Sequence, residues 1–166
     1  MRIAIDFDDT IVDTTKKVKE YLNKYNIKEF NNFEDKRQFY IKYIDDITKN
    51  LELKPNVKEV LDKLSKNNEL YIITARSSYY SNNVIPLTKE FIKKNNLPIK
   101  EIYFECFEEG KAIMCSKLNI DLFIDDYVNN CLEVKKTGIN VILFNDKYDE
   151  LNSVDNWIDV LKYVKE

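Results

Sequence analysis

Short apolar stretches alternate with helix-like stretches along most of this 166-residue chain. Near-continuous apolar runs are typical of strands that are covered on both faces, as the strands of parallel sheets are. We therefore predict an α/β fold in which βαβ units wind into a Rossmann-like parallel sheet. The predicted strands are residues 2–7, 69–74, 100–105, 121–125 and 140–144, and the predicted helices are residues 57–66, 84–95, 111–118, 128–136 and 155–164.

Residues 13–50 break this alternation, because they carry two or three helical patterns and no strand-like run. An insertion directly after the first strand would lie over the carboxyl edge of the sheet, where α/β proteins bind their ligands. We predict that residues 1–12 and 51–166 form the core and that residues 13–50 form a small helical cap. The chain length suits one compact domain with such an insertion.

The composition excludes several classes of site. The chain contains no histidine, which excludes Ser-His-Asp and Cys-His catalysis and any His-ligated zinc site. Its two glycines, Gly110 and Gly138, are too few and too far apart for a Walker loop or a G-x-G-x-x-G turn. The net charge of −3 offers no basic surface, so we do not expect polymeric nucleic acid as a partner.

The three cysteines, Cys106, Cys115 and Cys131, show neither paired C-x-x-C spacing nor an even number. We expect buried, inert thiols, because free cysteine usually behaves as a small apolar residue. Reduced thiols, together with the lack of a signal peptide or a long apolar span, predict a cytoplasmic protein without membrane contact.

An acidic motif follows the first predicted strand, at Asp6-Phe7-Asp8-Asp9-Thr10. Asp6 and Asp8 are two residues apart, so an extended backbone would point both to one side. Two adjacent carboxylates repel each other unless a cation or a proton lies between them. The motif therefore predicts a metal site, an acid/base pair or both, with an acidic surface turn as the alternative. Ile11 occupies the position of the invariant glycine of a calcium loop, which excludes an EF-hand.

Three further polar groups lie at a strand exit or a helix start. Thr74 can bond a phosphate oxygen, and Arg76 can pair with a phosphate or a carboxylate; an ordinary strand-to-loop junction is the alternative. Lys111 opens a predicted helix, where a solvated lysine is the alternative. Asp125 and Asp126 end a predicted strand, where one of them could instead cap the next helix.

The order of these four groups resembles the haloacid dehalogenase (HAD) superfamily of phosphohydrolases. The superfamily pattern is D-x-D-x-T/V, then Thr or Ser, then Lys, then a terminal acid pair. The resemblance extends from Met1 to about Phe144 and is interrupted by the insertion. It implies a HAD-like catalytic core and a phosphatase activity, with Lys117 as a possible substitute for Lys111.

The resemblance also implies a role for each motif residue. Asp6 corresponds to the nucleophile that becomes an aspartyl-phosphate, and Asp8 to the general acid/base. Thr10 matches the position that phosphatases fill with Thr or Val. The implied phosphate ligands are Thr74, Arg76 and Lys111. The implied Mg²⁺ ligands are Asp6, the backbone carbonyl of Asp8, Asp125 and Asp126, and Asp126 is favoured over Asp125.

Within the superfamily, the short helical cap, Thr74-Ala75-Arg76 and the Phe-Ile-Asp-Asp ending resemble the 5′(3′)-deoxyribonucleotidase branch. This likeness implies a small phosphorylated substrate, a nucleoside monophosphate. The alternatives are a phosphatase for a sugar phosphate or another small phosphometabolite, and a non-catalytic Mg²⁺-binding phospho-acceptor module. We interpret the aromatic residues of the cap as packing it onto the core, with stacking on a nucleobase as the alternative. They are Phe30, Phe33, Phe39, Tyr40 and Tyr43.

Overall fold

The first strand of the protein is apolar on both of its faces, and it occupies the middle of a sheet. In the computed structural model, which describes residues 1–164, Ile3, Ala4 and Ile5 are fully buried. All strand pairs in the sheet are parallel, and the strand order is β3-β2-β1-β4-β5-β6. The strands are β1 (Arg2–Ile5), β2 (Glu69–Ile73), β3 (Glu101–Tyr103), β4 (Leu122–Asp125), β5 (Asn140–Phe144) and β6 (Asn152–Val154).

Helices cover both faces of this sheet. One face packs Ile3, Ile5 and Ile72 into the larger apolar cluster, and the other packs Ala4 and Tyr71 into a second cluster. The period of two along each strand separates the two clusters. The helices are α1 (Thr14–Lys24), α2 (Phe33–Lys49), α3 (Val57–Leu64), α4 (Val84–Lys94), α5 (Gly110–Lys117), α6 (Val128–Lys136) and α7 (Trp157–Val160), followed by a 3-10 turn at Leu161–Tyr163.

The predicted fold class is confirmed, and the predicted strands and helices are present with shifts of a few residues at their ends. The last predicted helix, residues 155–164, is shorter, because only Trp157–Val160 is α-helical before the 3-10 turn. Helix α6 ends at Lys136, and Gly138, two residues later, has a φ of +85°, a conformation that glycine adopts without strain. Strand β6 is not predicted by the sequence, because Asn-Ser-Val offers a single apolar residue. Helices α1 and α2 fill most of residues 13–50, and the division into core and cap stays a prediction.

The carboxyl end of β1 lies at the point where the chain reverses its direction of winding. Strands β2 and β3 extend the sheet on one side of β1, whereas β4, β5 and β6 extend it on the other. Such a switch point leaves a crevice at the carboxyl edge, where α/β proteins bind ligands. A buried tryptophan stabilises the loop after β1, because the indole Nε1 of Trp157 donates a 2.9 Å hydrogen bond to the carbonyl of Thr10.

The three cysteines are free and buried, as expected from the sequence. Within residues 1–164, every helix is too short or too polar to cross a membrane.

Candidate active site

Most of the predicted site residues meet at the carboxyl edge of β1, β2 and β4. Asp6 follows β1, Thr74 follows β2 and Asp125 ends β4. A pocket of about 440 Å³ opens beside them. Its lining residues are Asp6, Asp8, Thr14, Tyr40, Ile44, Thr74, Ala75, Arg76, Ser77, Tyr79, Tyr80, Val84, Phe107 and Lys111. Lys117 lies exposed at the end of α5, so Lys111 is the lysine that reaches this edge.

Lys111 lies between two of the predicted carboxylates. Its Nζ donates a 2.7 Å hydrogen bond to Oδ1 of Asp6 and another of 2.7 Å to Oδ2 of Asp125. All three side chains are at least nine-tenths buried. Burial lowers the pKa of Lys111, but the two carboxylates raise it further, so the ammonium stays charged. Burial and the charge of Asp125 raise the pKa of Asp6 well above its usual range, although Lys111 opposes this.

The terminal acid pair divides into two different environments. Asp125 is fully buried and also accepts hydrogen bonds from the backbone N–H of Tyr127 at 2.8 Å and from Asn130 at 3.0 Å. Asp126 is half-buried, and its Oδ1 accepts a 3.1 Å hydrogen bond from the hydroxyl of Thr10. Burial and the neighbouring Asp125 raise the pKa of Asp126 to about 6. Asp125 therefore fixes Lys111 and the local backbone, whereas Asp126 keeps an oxygen without a hydrogen bond among the described residues.

The acidic residues at this edge fit a divalent cation. Asp6, Asp125 and Asp126 each offer a carboxylate oxygen, and these oxygens lie within 4.8 Å of one another. In the part of the chain that the structure describes, Lys111 is the cation that pairs with this group, so two negative charges stay uncompensated when all three carboxylates are ionised. An all-oxygen donor set with that excess charge suits Mg²⁺ better than zinc.

Asp8 has a different partner from Asp6. The guanidinium of Arg76 binds it bidentately, with Nε 2.9 Å from Oδ2 and a terminal nitrogen 2.7 Å from Oδ1. The hydroxyl of Thr14 donates a third hydrogen bond to Oδ1. Burial raises the pKa of Asp8, but the charge and hydrogen bonds of Arg76 lower it more, so the net pKa lies below its usual range. The two carboxylates of the motif thus lie in different electrostatic environments, with the pKa of Asp6 raised and the pKa of Asp8 lowered.

The sequence allows Arg76 either a phosphate or a carboxylate as partner, and in the structure that partner is the carboxylate of Asp8. Its other terminal nitrogen donates to the hydroxyls of Thr48 at 3.1 Å and Thr88 at 3.2 Å. Direct binding of phosphate by Arg76 stays a prediction. No sequence pattern indicates Thr14, Thr48 or Thr88 as site residues, because threonines in helices form no motif of their own.

Four aromatic side chains line the pocket, and we call them the aromatic wall: Tyr40, Tyr79, Tyr80 and Phe107. Tyr40 of α2 stacks on Tyr80 with ring centroids 5.0 Å apart, and Tyr79 packs edge-on against Tyr80 at 4.9 Å. Tyr79 and Phe107 are 63% and 52% exposed, so their rings are open to a ligand. Of these four residues, only Tyr40 belongs to the aromatic cluster predicted from the sequence.

The other aromatic residues of the predicted cap lie elsewhere. Phe39 and Tyr43 are buried in the larger apolar cluster, and Phe30 packs against it, which agrees with the packing interpretation. Phe33 is 67% exposed and is not part of the pocket wall.

A family model described as NLI interacting factor-like phosphatase matches residues 2–166. The chain belongs to this family. A nucleotidase of Clostridium acetobutylicum is 29% identical to this phosphatase over 163 residues, which cover 90% of this chain and 82% of the relative.

Solved structures of HAD hydrolases share the fold of this phosphatase. A haloacid dehalogenase-like hydrolase from Streptococcus pneumoniae superposes with a TM-score of 0.71 at 15% identity, covering 98% of this chain and 97% of that protein. A HAD hydrolase of Bacillus subtilis, solved with bound magnesium, gives a TM-score of 0.65 at 12% identity and covers 98% and 97%. The predicted membership of the HAD phosphatases is confirmed.

The raised pKa of Asp126 predicts a pH-dependent cost to the stability of the metal-free phosphatase. The folded-state pKa of about 6 exceeds the ordinary 3.8, so the folded protein binds this proton more tightly than the unfolded chain does. The resulting stabilisation is fully present below pH 3.8 and is lost as the pH rises through 6. In EDTA, Asp126→Asn should therefore raise the melting temperature at pH 7.5 by a few degrees, since about 1 kcal/mol shifts Tm by roughly 2–4 °C at this size. Near pH 4 the wild type and Asp126→Asn should have similar melting temperatures. A lower melting temperature of Asp126→Asn at pH 7.5 would contradict the electrostatic argument.

Proposed function

We propose that this protein is a Mg²⁺-dependent phosphomonoester hydrolase that acts through an aspartyl-phosphate on nucleoside monophosphates. The observation that carries the proposal is the pairing of Asp6 with Lys111 beside an Asp8 that is held separately by Arg76. A nucleophile needs a fixed carboxylate, and a general acid/base needs a second carboxylate in a different environment. Membership of a phosphatase family supports the same reaction.

Asp6 is proposed as the nucleophile. Lys111 fixes its Oδ1, which leaves Oδ2 to attack the phosphorus. A carboxylate that comes within about 4 Å of a phosphate dianion meets roughly 8 kcal/mol of repulsion at an effective dielectric constant near 20. Lys111 would offset part of this repulsion. Thr74 is proposed to donate its hydroxyl to a phosphate oxygen, which its burial at the edge of the pocket supports.

Asp8 is proposed to protonate the leaving oxygen and then to take a proton from the water that hydrolyses the aspartyl-phosphate. Arg76 keeps its carboxyl ionised in the resting protein, which suits the second step. An approaching phosphate dianion raises the proton affinity of a nearby carboxylate, which suits the first step.

Mg²⁺ would be held by Asp6, Asp126 and the backbone carbonyl of Asp8, with Asp125 next to them. When bound, it neutralises phosphate charge and orients the phosphate for attack. We favour Asp126 over Asp125 as a direct ligand, because the oxygens of Asp125 are already used by Lys111, Asn130 and a backbone N–H.

The aromatic wall supports a nucleotide as the substrate. Tyr79 and Phe107 expose apolar ring surface beside the proposed nucleophile, and a nucleobase could stack there. A sugar phosphate would leave that surface bare. Helix α2 contributes Tyr40 and Ile44 to the same pocket, which supports our proposal that residues 13–50 act as a cap over a core of residues 1–12 and 51–166.

A screen of ribo- and deoxyribonucleoside monophosphates against ribose 5-phosphate tests this proposal. Base stacking is worth about 1–3 kcal/mol, so we expect kcat/KM for a nucleotide to exceed that for ribose 5-phosphate by roughly tenfold to a hundredfold. Tyr79→Ala and Phe107→Ala should reduce this ratio, whereas Phe33→Ala, which removes an equally exposed ring outside the pocket, should not. A ratio near one in the wild type would favour the sugar phosphate alternative, and the ratio for deoxyribo- over ribonucleotides tests the deoxyribonucleotidase likeness.

A further inference from the structure

Arg76 is held in place by protein groups on several sides. Four of its five N–H donors have partners: two donate to Asp8, one to Thr48 and one to Thr88. Its guanidinium carbon lies 4.7 Å from the centroid of the Phe7 ring. The residue is only 7% exposed. A guanidinium with so many fixed contacts has little freedom to turn toward a substrate.

The hydroxyl groups that accept from Arg76 belong to buried, packed side chains. Thr48 of α2 and Thr88 of α4 are fully buried, and the hydroxyl of Thr88 donates a 2.7 Å hydrogen bond to the carbonyl of Val84. The two helices pack against each other at this point, so their hydroxyls present a fixed pair of acceptors to one nitrogen of Arg76. The opposite edge of the same guanidinium carries the carboxylate of Asp8.

We propose that Arg76 is a positioning residue that fixes the direction of the Asp8 carboxylate and makes it depend on the packing of α2 against α4. This inference rests on the proposed role of Asp8 as general acid/base. The planar guanidinium transmits the positions of Thr48 and Thr88 to Asp8, because its two edges cannot move independently. This proposal replaces the predicted phosphate contact of Arg76, and it assigns the phosphate contacts to Thr74 and Lys111 alone.

The test compares two phosphate monoesters that differ in their need for a proton donor. Ethyl phosphate requires protonation of its leaving oxygen, whereas p-nitrophenyl phosphate releases a stable phenolate. Arg76→Lys keeps the positive charge but loses the bidentate geometry, and a misplaced group can cost on the order of a hundredfold. We expect kcat for ethyl phosphate to fall at least about tenfold more than kcat for p-nitrophenyl phosphate.

Two further measurements separate positioning from other roles. The inhibition constant of inorganic phosphate should change less than about threefold in Arg76→Lys, because a lost charged phosphate contact would raise it by roughly tenfold or more. In an Asp8→Asn background, Arg76→Lys should add little further loss, since residues that act as a unit are not additive. Thr48→Val and Thr88→Val should show the same leaving-group pattern more weakly, and they keep the test decisive where Arg76→Lys does not fold.

Three results would overturn the inference. A large rise in the inhibition constant of phosphate would make Arg76 a phosphate ligand. If Arg76→Lys lowered kcat equally for both esters, and if its loss added to that of Asp8→Asn in the double variant, the role of Arg76 would be purely structural. A wild-type protein that is inactive, or an Asp8→Asn variant without leaving-group dependence, would remove the proposed function and this inference with it. The first two results would reject the positioning role of Arg76 but leave the proposed function standing, so failure of this inference can be distinguished from failure of the proposed function.

Discussion

Asp6→Asn should lower kcat for every phosphomonoester by more than about a thousandfold, the scale of loss expected when a group that forms a covalent bond is removed. An amide is a far weaker nucleophile than a carboxylate, and it cannot form the proposed aspartyl-phosphate. The substitution should leave the fold intact, because the amide oxygen can still accept the 2.7 Å hydrogen bond from Lys111. Steady-state turnover and the melting temperature measure the two effects separately.

Asp9→Asn is the matched control for this experiment. Asp9 belongs to the same motif, but its carboxylate binds the backbone N–H and hydroxyl of Thr15 and does not line the pocket. Its φ of 56° is a conformation that asparagine tolerates well. Asp9→Asn should therefore keep most of the activity. Residual activity of Asp6→Asn above about a tenth of the wild type would remove Asp6 as the nucleophile.

The fold could be predicted because strand burial and helix periodicity are local properties of the sequence. Four of the six strands, β1, β2, β4 and β5, are largely buried apolar runs, which is the pattern of strands covered on both faces. The edge strand β3 is less buried, but its Ile102 and Tyr103 still form part of a strand-like run. Strand β6 was not predicted because it is a short edge strand with little apolar character, and its hydrogen bonds to β5 stabilise it as a strand. Its existence depends on tertiary contacts that a local pattern does not record.

The candidate site was predictable where its residues follow strands. Asp6, Thr74 and Asp125 each end an apolar run, and parallel winding brings such ends to one edge. The partner of Arg76 and the tyrosines at positions 79 and 80 were not predictable in this way. Their positions depend on how a loop crosses the pocket and on how α2 packs against α4, neither of which has a sequence period.

Removal of divalent metal should abolish turnover. EDTA should stop catalysis and Mg²⁺ should restore it, because Lys111 is otherwise the only cation paired with Asp6, Asp125 and Asp126 among residues 1–164 when a phosphate dianion approaches them. Ca²⁺ should restore little, since its longer and more flexible coordination would misplace the phosphate. Mg²⁺ should also raise the melting temperature, by relieving the repulsion among the three carboxylates. Full activity in EDTA would contradict the metal site.

The two members of the terminal acid pair should respond differently in the same experiment. Asp126→Ala should raise the Mg²⁺ concentration needed for half-maximal activity by roughly tenfold or more, because it removes the carboxylate with an oxygen left for the ion. Asp125→Ala should instead lower stability and kcat at saturating Mg²⁺, because the buried Lys111 loses one of its two partners and no longer holds Asp6 as firmly. The reverse ranking would place the ion against Asp125, and Lys111 would then have to turn toward Asp6 alone whenever the ion is bound.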